Sequence, residues 1–445
     1  MSPGRPFPGV PSSVAKARPP LPGGPYLVLG LARSGISAAL ALRARGEEVI
    51  GLDAGAADDP ALSEAAQRLS RAGVEVHLNA SEDAVAANRA RTLVKSPGVP
   101  QSALPVVQAR RRGMSVLGEL ELAWRLLPNE FVAVTGTNGK TTTTEWIGDI
   151  HRRAGRPVAV AGNVGTAVSS LIGEIEPDTT VVCEASSFQL EDTQAFAPEA
   201  AVLLNLSPDH PDRHPTYDDY VAAKLRIFAN QSPEDIAVLP EDLRIADLGG
   251  QARRVRFGSG PELELARDIA LPGEHNRQNA MAAAAVCLAR GIPREAVAEG
   301  LRSFAGVAHR LERIALIDGV RWINDSKATN VASTIVALRA FPAGVHLIAG
   351  GRGKGQDFSA LRPLVAERAR AVYLIGEAAP ALALALDGAG VPVHEVGDLD
   401  HAVEQARASA VPGDTVLLSP ACASYDQFRD FEARGERFRA FVERR

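Results

Sequence analysis

The chain has 445 residues, a formal net charge of −5, and a composition that is 46% hydrophobic and 23% charged. That length is more than one core usually serves, so two to four domains of an ordinary soluble globular protein are expected. The acidic balance excludes a general nucleic-acid binder, but a few Lys and Arg still suffice for a local pocket that takes anionic substrates.

Residues 1–25 are crowded with Pro and Gly and lack the apolar run of a signal peptide; they predict a disordered tail. Tyr26-Leu-Val-Leu-Gly30, a helix from about Gly35 to Gly46, and the strand Glu48–Asp53 then predict a βαβ unit in a parallel sheet. Its turn, Gly30-Leu-Ala-Arg-Ser-Gly35, has Ala32 where a dinucleotide fingerprint needs a second Gly close to a pyrophosphate. NAD binding is therefore disfavoured. A helix N-terminus still offers N–H groups to a diphosphate, and a plain βα turn is the alternative.

The next start is stronger. Phe131-Val-Ala-Val-Thr135 reads as a buried strand running into Gly136-Thr-Asn-Gly-Lys-Thr141 and a helix. Such a loop cradles phosphates with backbone N–H groups, while Lys140 reaches the terminal phosphates and the Thr141 hydroxyl suits Mg²⁺. Val134 stands where the standard P-loop has Gly, so this loop is short. Further strands are expected at Thr180–Cys183 and Ala201–Leu204. Glu184 falls at a strand's carboxyl end, where α/β sites form. His210 lies in a loop, and alone it reads more simply as a loop histidine than as a ligand.

From Tyr217 to Phe228, helical spacing puts Tyr217, Tyr220, Val221, Leu225, Ile227 and Phe228 on one stripe with Lys224 near its centre. A buried ammonium is costly unless paired or neutralised. The residue is either a snorkelling lysine or one whose amine is altered or set beside an acid.

In the last third, Val345–Ala349 ends in Gly350-Gly-Arg-Gly-Lys354, and strands follow at Ala371–Ile375 and Thr415–Leu418. Arg310, Asn324–Lys327 and Lys354 gather near strand ends, a pattern of anion binding or of solvated surface. Cys183, Cys287 and Cys422 are far apart, without metal spacing or a disulfide framework, which fits a reducing cytoplasm. Cys422 has no His near it in sequence, so a thiol nucleophile is rejected. No segment has the length and apolarity of a membrane helix. Boundaries fall near 116 and 306.

Several of these stretches resemble the Mur ligases. Thr135–Thr141 is similar to the family's shortened ATP loop. Gly162-Asn-Val-Gly165, Glu184–Leu190, Asp209-His210 and Gly273–Asn279 are similar to its central-domain motifs. His309-Arg310, Val320–Asn330 and Ser419–Phe431 resemble the members that add D-glutamate.

The resemblance implies an α/β fold of three domains. These are an N-terminal Rossmann-like UDP-binding domain (26–116), a central P-loop ATPase-type parallel-sheet domain (117–306) and a C-terminal Rossmann-like amino-acid-binding domain (307–445). It implies ATP-dependent ligation of D-glutamate to UDP-N-acetylmuramoyl-L-alanine through an acyl phosphate, with ATP and two Mg²⁺ ions, in a cytoplasmic monomer that makes peptidoglycan precursors. Another acceptor in the same family, or a folylpolyglutamate synthase, shares the ATP chemistry. A P-loop transport or partitioning ATPase is the alternative from another class.

By the same resemblance, Gly136, Thr137, Asn138, Gly139, Lys140, Thr141 and Thr142 cradle ATP. Asn276, Asn279, Arg310 and Asp325 complete that site. Thr141 and Glu184 hold one Mg²⁺, and His210 holds the second with Lys224 as a carbamate. Asn163 and Ser187 are substrate contacts. Thr329 and Lys354 meet the α-carboxylate of D-glutamate, and Ser424 and the Phe431 backbone meet its side-chain carboxylate.

Overall fold

The structure is a computed structural model that describes residues 16–80, 89–163, 165–210, 213–245, 247–271, 273–353 and 356–444. It divides into two compact units, one up to Phe304 and one from Ala305.

The first unit holds two sheets. Strands β1 (Tyr26–Leu29), β2 (Val49–Leu52), β3 (Glu75–His77), β4 (Thr92–Lys95) and β5 (Ser115–Gly118) lie in the order β3-β2-β1-β4-β5. Every pair is parallel. β1, β2 and β4 are buried along their whole length, as strands covered on both faces by helices must be. Strand order reverses between β1 and β4, so the crevice beyond their carboxyl ends is where this sheet offers a ligand site.

The second sheet comprises β6 (Phe131–Thr135), β7 (Val158–Gly162), β8 (Thr180–Glu184), β9 (Ala200–Leu203), β10 (Ile236–Pro240) and β11 (Arg253–Phe257), ordered β11-β10-β9-β6-β8-β7. It too is parallel throughout. The helix Glu119–Leu126 serves both sheets. Its Leu122 packs with the core against β1, and its Leu120, Ala123 and Trp124 pack under β6 and β8.

The unit from Ala305 has β12 (Glu312–Ile317), β13 (Val320–Asn324), β14 (Val345–Gly350), β15 (Ala369–Ile375), β16 (Val393–Gly397) and β17 (Thr415–Leu418), ordered β12-β13-β17-β14-β15-β16. Only the β12–β13 pair is antiparallel among the described residues. Asp318 and Gly319 join these two strands with φ of 50° and 78°, the primed turn that suits a tight hairpin.

The Pro/Gly-rich start departs from expectation. Residues 1–15 lie outside the described residues, but 16–25 are packed rather than disordered. The Arg18 guanidinium lies 4.3 Å over the Trp124 ring and pairs with Glu199 at 3.1 Å. It also donates to the Asn129 carbonyl at 2.9 Å. Lys16 pairs with Asp235, and the Pro20 and Gly23 carbonyls accept from Arg125 and Thr92. Composition alone hid this: the segment lacks an apolar run, but its Leu21 packs against the first sheet's core and it carries two cations that buried acids need.

Candidate active site

The buried strand β6 delivers the chain to Gly136, and the helix Lys140–Arg153 takes it away. Gly136 (φ 152°) and Gly139 (φ 86°) adopt conformations that favour glycine. A Cβ on Gly139 would lie 2.1 Å from Asn279 Oδ1, so the helix Glu274–Ala289 closes directly onto the loop. Among the described residues no side-chain hydrogen bond caps the helix after Gly139. Its first-turn N–H groups therefore suit an anion.

Lys140 folds back, its Nζ donating to the carbonyls of Gly136 (2.8 Å) and Thr137 (2.9 Å). The Thr137 hydroxyl meets Tyr220 Oη at 2.9 Å and accepts from the Ser207 N–H. Asn205 brackets Asn138, its Oδ1 accepting from the Asn138 N–H and its Nδ2 donating to the Asn138 carbonyl. Asn205 was not among the predicted site residues. Its place after the apolar run that became β9 was the available signal. Thr142 is buried in the first turn of the helix.

Glu184 closes β8 and is 4% exposed. Its Oε2 accepts from the Thr141 hydroxyl at 2.7 Å, and its Oε1 from Asn163 Nδ2 at 3.1 Å. A buried carboxylate with two neutral partners beside a hydroxyl is a set of hard oxygen donors, and it fits Mg²⁺.

The second expected ion site is less assembled. No group of three or more His, Cys, Asp or Glu side chains is placed to hold a metal among the described residues. His210 sits in a left-handed turn (φ 53°), half exposed, with its ring 4.7 Å from that of Phe188. No hydrogen bond joins it to Lys224 or Glu184 among the described residues.

Lys224 is 2% exposed on the helix Tyr217–Leu225. Its Nζ donates to the Gly136 carbonyl at 2.8 Å and lies 4.6 Å over the Tyr220 ring. Burial, with Lys140 nearby, pulls its pKa from 10.5 down to about 7. The expected stripe is partly corrected: Tyr220, Ile227 and Phe228 are buried, but Tyr217 is 43% exposed and the helix stops at Leu225.

Asn163 is exposed, and its N–H donates to the Glu184 carbonyl. Ser187 is buried, its hydroxyl 3.0 Å from His214 Nε2. His214 was missed, because a histidine in a Pro-rich loop carries no sequence signal. Asn276 Oδ1 accepts from Asn279 Nδ2 at 3.5 Å.

In the unit from Ala305, Asp325 is buried, accepting from the Ser419 hydroxyl (2.8 Å) and the Leu311 N–H (3.1 Å). Burial raises its pKa to about 7. Arg310 is exposed and its N–H bonds to the Val307 carbonyl. The Thr329 N–H donates to the Lys327 carbonyl. Ser424 is buried, its carbonyl accepting from the Gln427 and Phe428 N–H groups. Phe431 begins the helix Phe431–Glu443, and its carbonyl accepts from the Ser326 hydroxyl at 2.8 Å. Lys354 lies outside the described residues. Cys422 is buried and its thiol is pushed up to about 12, which suits a structural residue rather than a nucleophile.

Arg434 was not predicted. It is 1% exposed and donates to Ser326 Oγ (2.9 Å) and to the carbonyls of Ser326 (2.8 Å), Cys422 (3.1 Å) and Gly350 (3.4 Å). Burial lowers its pKa to about 10, so it stays a cation. It ties together three loops that the sequence offered as separate motifs.

Residues 134–260 match the Mur ligase middle domain, and residues 309–422 match the glutamate ligase domain of Mur ligases. A UDP-N-acetylmuramoylalanine--D-glutamate ligase of Acidobacterium capsulatum is 43% identical, with 95% of this chain and 96% of that protein aligned. The enzyme of the same name from Pelotomaculum thermopropionicum is also 43% identical, over 94% and 96%. The crystal structure of MurF from Acinetobacter baumannii covers 94% of this chain and 93% of its own, with a TM-score of 0.56 at 17% identity, a likeness of fold. On its ATP-loop geometry and its near-full-length identity to these relatives, the chain belongs to the Mur ligase family.

Proposed function

We propose that this protein ligates D-glutamate to UDP-N-acetylmuramoyl-L-alanine at the expense of ATP, in peptidoglycan precursor synthesis. The observation that carries the reading is the joining of a phosphate-cradling loop to the Thr141–Glu184 pair, in a chain 43% identical to ligases of that name. The domains at 26–116, 117–306 and 307–445 hold the UDP-substrate, ATP and the amino acid. The L-alanyl carboxylate attacks the γ-phosphorus of ATP and ADP leaves. The D-glutamate amine then attacks the acyl phosphate carbonyl, and phosphate leaves as the amide forms.

Lys140 swings from its carbonyl contacts to the β- and γ-phosphates, and the loop N–H groups of Gly136–Thr142 hold the same oxygens. Asn276 and Asn279 bound the nucleotide from the helix that touches Gly139, and Arg310 and Asp325 complete its contacts. Asn163 and Ser187 orient the acceptor. Thr329, Lys354, Ser424 and the Phe431 N–H bind the two carboxylates of D-glutamate. Thr141 and Glu184 would hold one Mg²⁺, and His210 with a carbamylated Lys224 would hold a second; bound there, the ions would neutralise charge on the transferring phosphoryl group. The near-neutral pKa of Lys224 supports the carbamate, because a largely neutral amine is what reacts with CO₂. The protein works as a monomer in the cytoplasm.

Phosphate release with ATP, Mg²⁺, the UDP-substrate and each candidate amino acid tests this. Release that requires both D-glutamate and the UDP-substrate is expected. Release with another amino acid moves the chain to another Mur activity, and release with neither acceptor refutes ligation.

A further inference from the structure

The two sheets of the first unit are joined at their carboxyl ends by a buried ion pair. Lys95, the last residue of β4, is fully buried, and its Nζ lies 2.7 Å from Asp192 Oδ2. The same Nζ donates to the Val99 carbonyl at 2.6 Å. Asp192 comes from the second sheet's side, two residues after the helix Ser187–Leu190 that follows Glu184. Its Oδ1 accepts from Gln101 at 2.6 Å, and its carbonyl accepts from the Gly118 N–H. A long, charged side chain is not taken wholly out of water for packing alone, since an aliphatic residue would fill the space without the desolvation cost.

What Lys95 anchors is the loop lying on the first glycine-rich turn. The Ser96 hydroxyl donates to the Gly30 carbonyl at 2.7 Å, and a Cβ on Gly30 would lie 3.0 Å from Ser96 and 3.1 Å from Val99. The fit leaves no slack, so a shift of residues 96–99 moves the Gly30 turn. A second tie runs beside the first. Arg213, three residues after His210, pairs with Glu191, stacks 4.8 Å from the Phe188 ring and donates to the Pro97 carbonyl at 3.4 Å.

We propose that the Lys95–Asp192 pair, with Arg213 beside it, is a positioning device that sets the Gly30 turn in register with Glu184. It thereby fixes the acceptor's distance from the phosphoryl group. This rests on the function proposed above, with the diphosphate of the UDP-substrate at the Gly30 turn. The acceptor is held by one sheet and ATP by the other, and an error of about 1 Å between them costs on the order of a hundredfold in rate. The crossing point between the sheets is where such an error is set.

The test compares Lys95→Met, Asp192→Asn, the double variant and the reversed pair Lys95→Asp/Asp192→Lys with the parent enzyme. Calorimetry measures binding of the UDP-substrate without ATP or Mg²⁺, fluorescence measures binding of an ATP analogue, and steady-state assays give kcat and KM. Each single variant should weaken UDP-substrate binding about tenfold and lower kcat more, while ATP-analogue affinity stays within about twofold. The double variant should be no worse than either single one, and the reversed pair should recover part of the loss. Lower thermal stability with unchanged UDP-substrate affinity and kcat in the folded fraction would overturn the proposal, as would additive losses. Should Lys95→Met fail to fold, Asp192→Asn and Lys95→Arg carry the same comparison. If the parent neither binds the UDP-substrate nor ligates, the functional reading fails instead.

Discussion

The Thr141 hydroxyl donates to Glu184 Oε2 across 2.7 Å, joining the start of one helix to the end of a neighbouring strand. Glu184→Gln keeps the size and one of the two acceptor oxygens that serve Thr141 and Asn163, but loses the charge. We expect the Mg²⁺ concentration for half-maximal activity to rise at least about tenfold, and the rate at saturating Mg²⁺ to fall on the order of a hundredfold. A Mg²⁺ titration of phosphate release checks this; an unchanged titration removes Glu184 from the metal site.

Lys140→Ala should leave the fold intact and lower turnover roughly a thousandfold or more, since a charge on the transferring phosphoryl group is lost. Its bonds to the Gly136 and Thr137 carbonyls lie within the loop itself and tie no other element to it, so the melting temperature should move little. ADP formation together with a thermal melt separates the two effects.

Lys224 gives a pH prediction. The folded protein holds this amine at about 7 against 10.5 ordinarily, so between those values the folded state binds fewer protons than the unfolded. Stability therefore gains from this group as pH rises from about 7 to 10.5, and the full cost is present below about 7. Below pH 7 the protonated amine cannot add CO₂. Activity in CO₂-depleted buffer should fall steeply from pH 8 to pH 6, and bicarbonate should restore it at pH 8 far better than at pH 6. Lys224→Ala should be nearly inactive and partly rescued by acetate. Full activity without rescue rejects the carbamate.

Arg434 holds four oxygens from three loops. Arg434→Lys keeps the charge but cannot span that fork. KM for D-glutamate should rise about tenfold while KM for ATP changes little. Equal changes in both would make the residue a fold determinant only.

Arg18→Ala strands Glu199, which is 6% exposed, without its cation. Breaking a buried pair from one side costs roughly 3–5 kcal/mol. Calorimetric melting should show the loss, and Glu199→Gln added to Arg18→Ala should recover part of it. A melting point equal to the parent's would show that the Arg18–Glu199 pair contributes nothing to stability.

Legibility in the sequence followed contact distance. The run Phe131–Thr135 followed by Gly-Lys-Thr predicted a buried strand, a glycine-bearing loop and a helix because its signals are consecutive, and all three elements are present. Lys224 stood out because helical spacing exposed a cation among aromatics. Lys95, Arg18 and Arg434 did not stand out. Each is an ordinary basic residue in its own segment, and each acquires its meaning from partners about 12 to 181 residues away. The Pro-rich composition of residues 16–25 argued for disorder, since side-chain ion pairs leave no periodic trace. The same limit applies to Ser187, whose hydroxyl is read by a histidine from a different loop.

The packed start of the chain has a consequence for biosynthesis. Lys16 and Arg18 leave the ribosome well before their acidic partners, which lie 219 and 181 positions later. At about 5–20 residues per second, Lys16 waits roughly 10–40 s for Asp235. Until then the first sheet can assemble around Tyr26–Leu29, and its leading segment can meet Thr92, Trp124, Arg125 and Asn129 but not its two acids. The closing of that segment is thus completed late in the first unit, and synthesis that pauses before residue 199 leaves both cations without their acids.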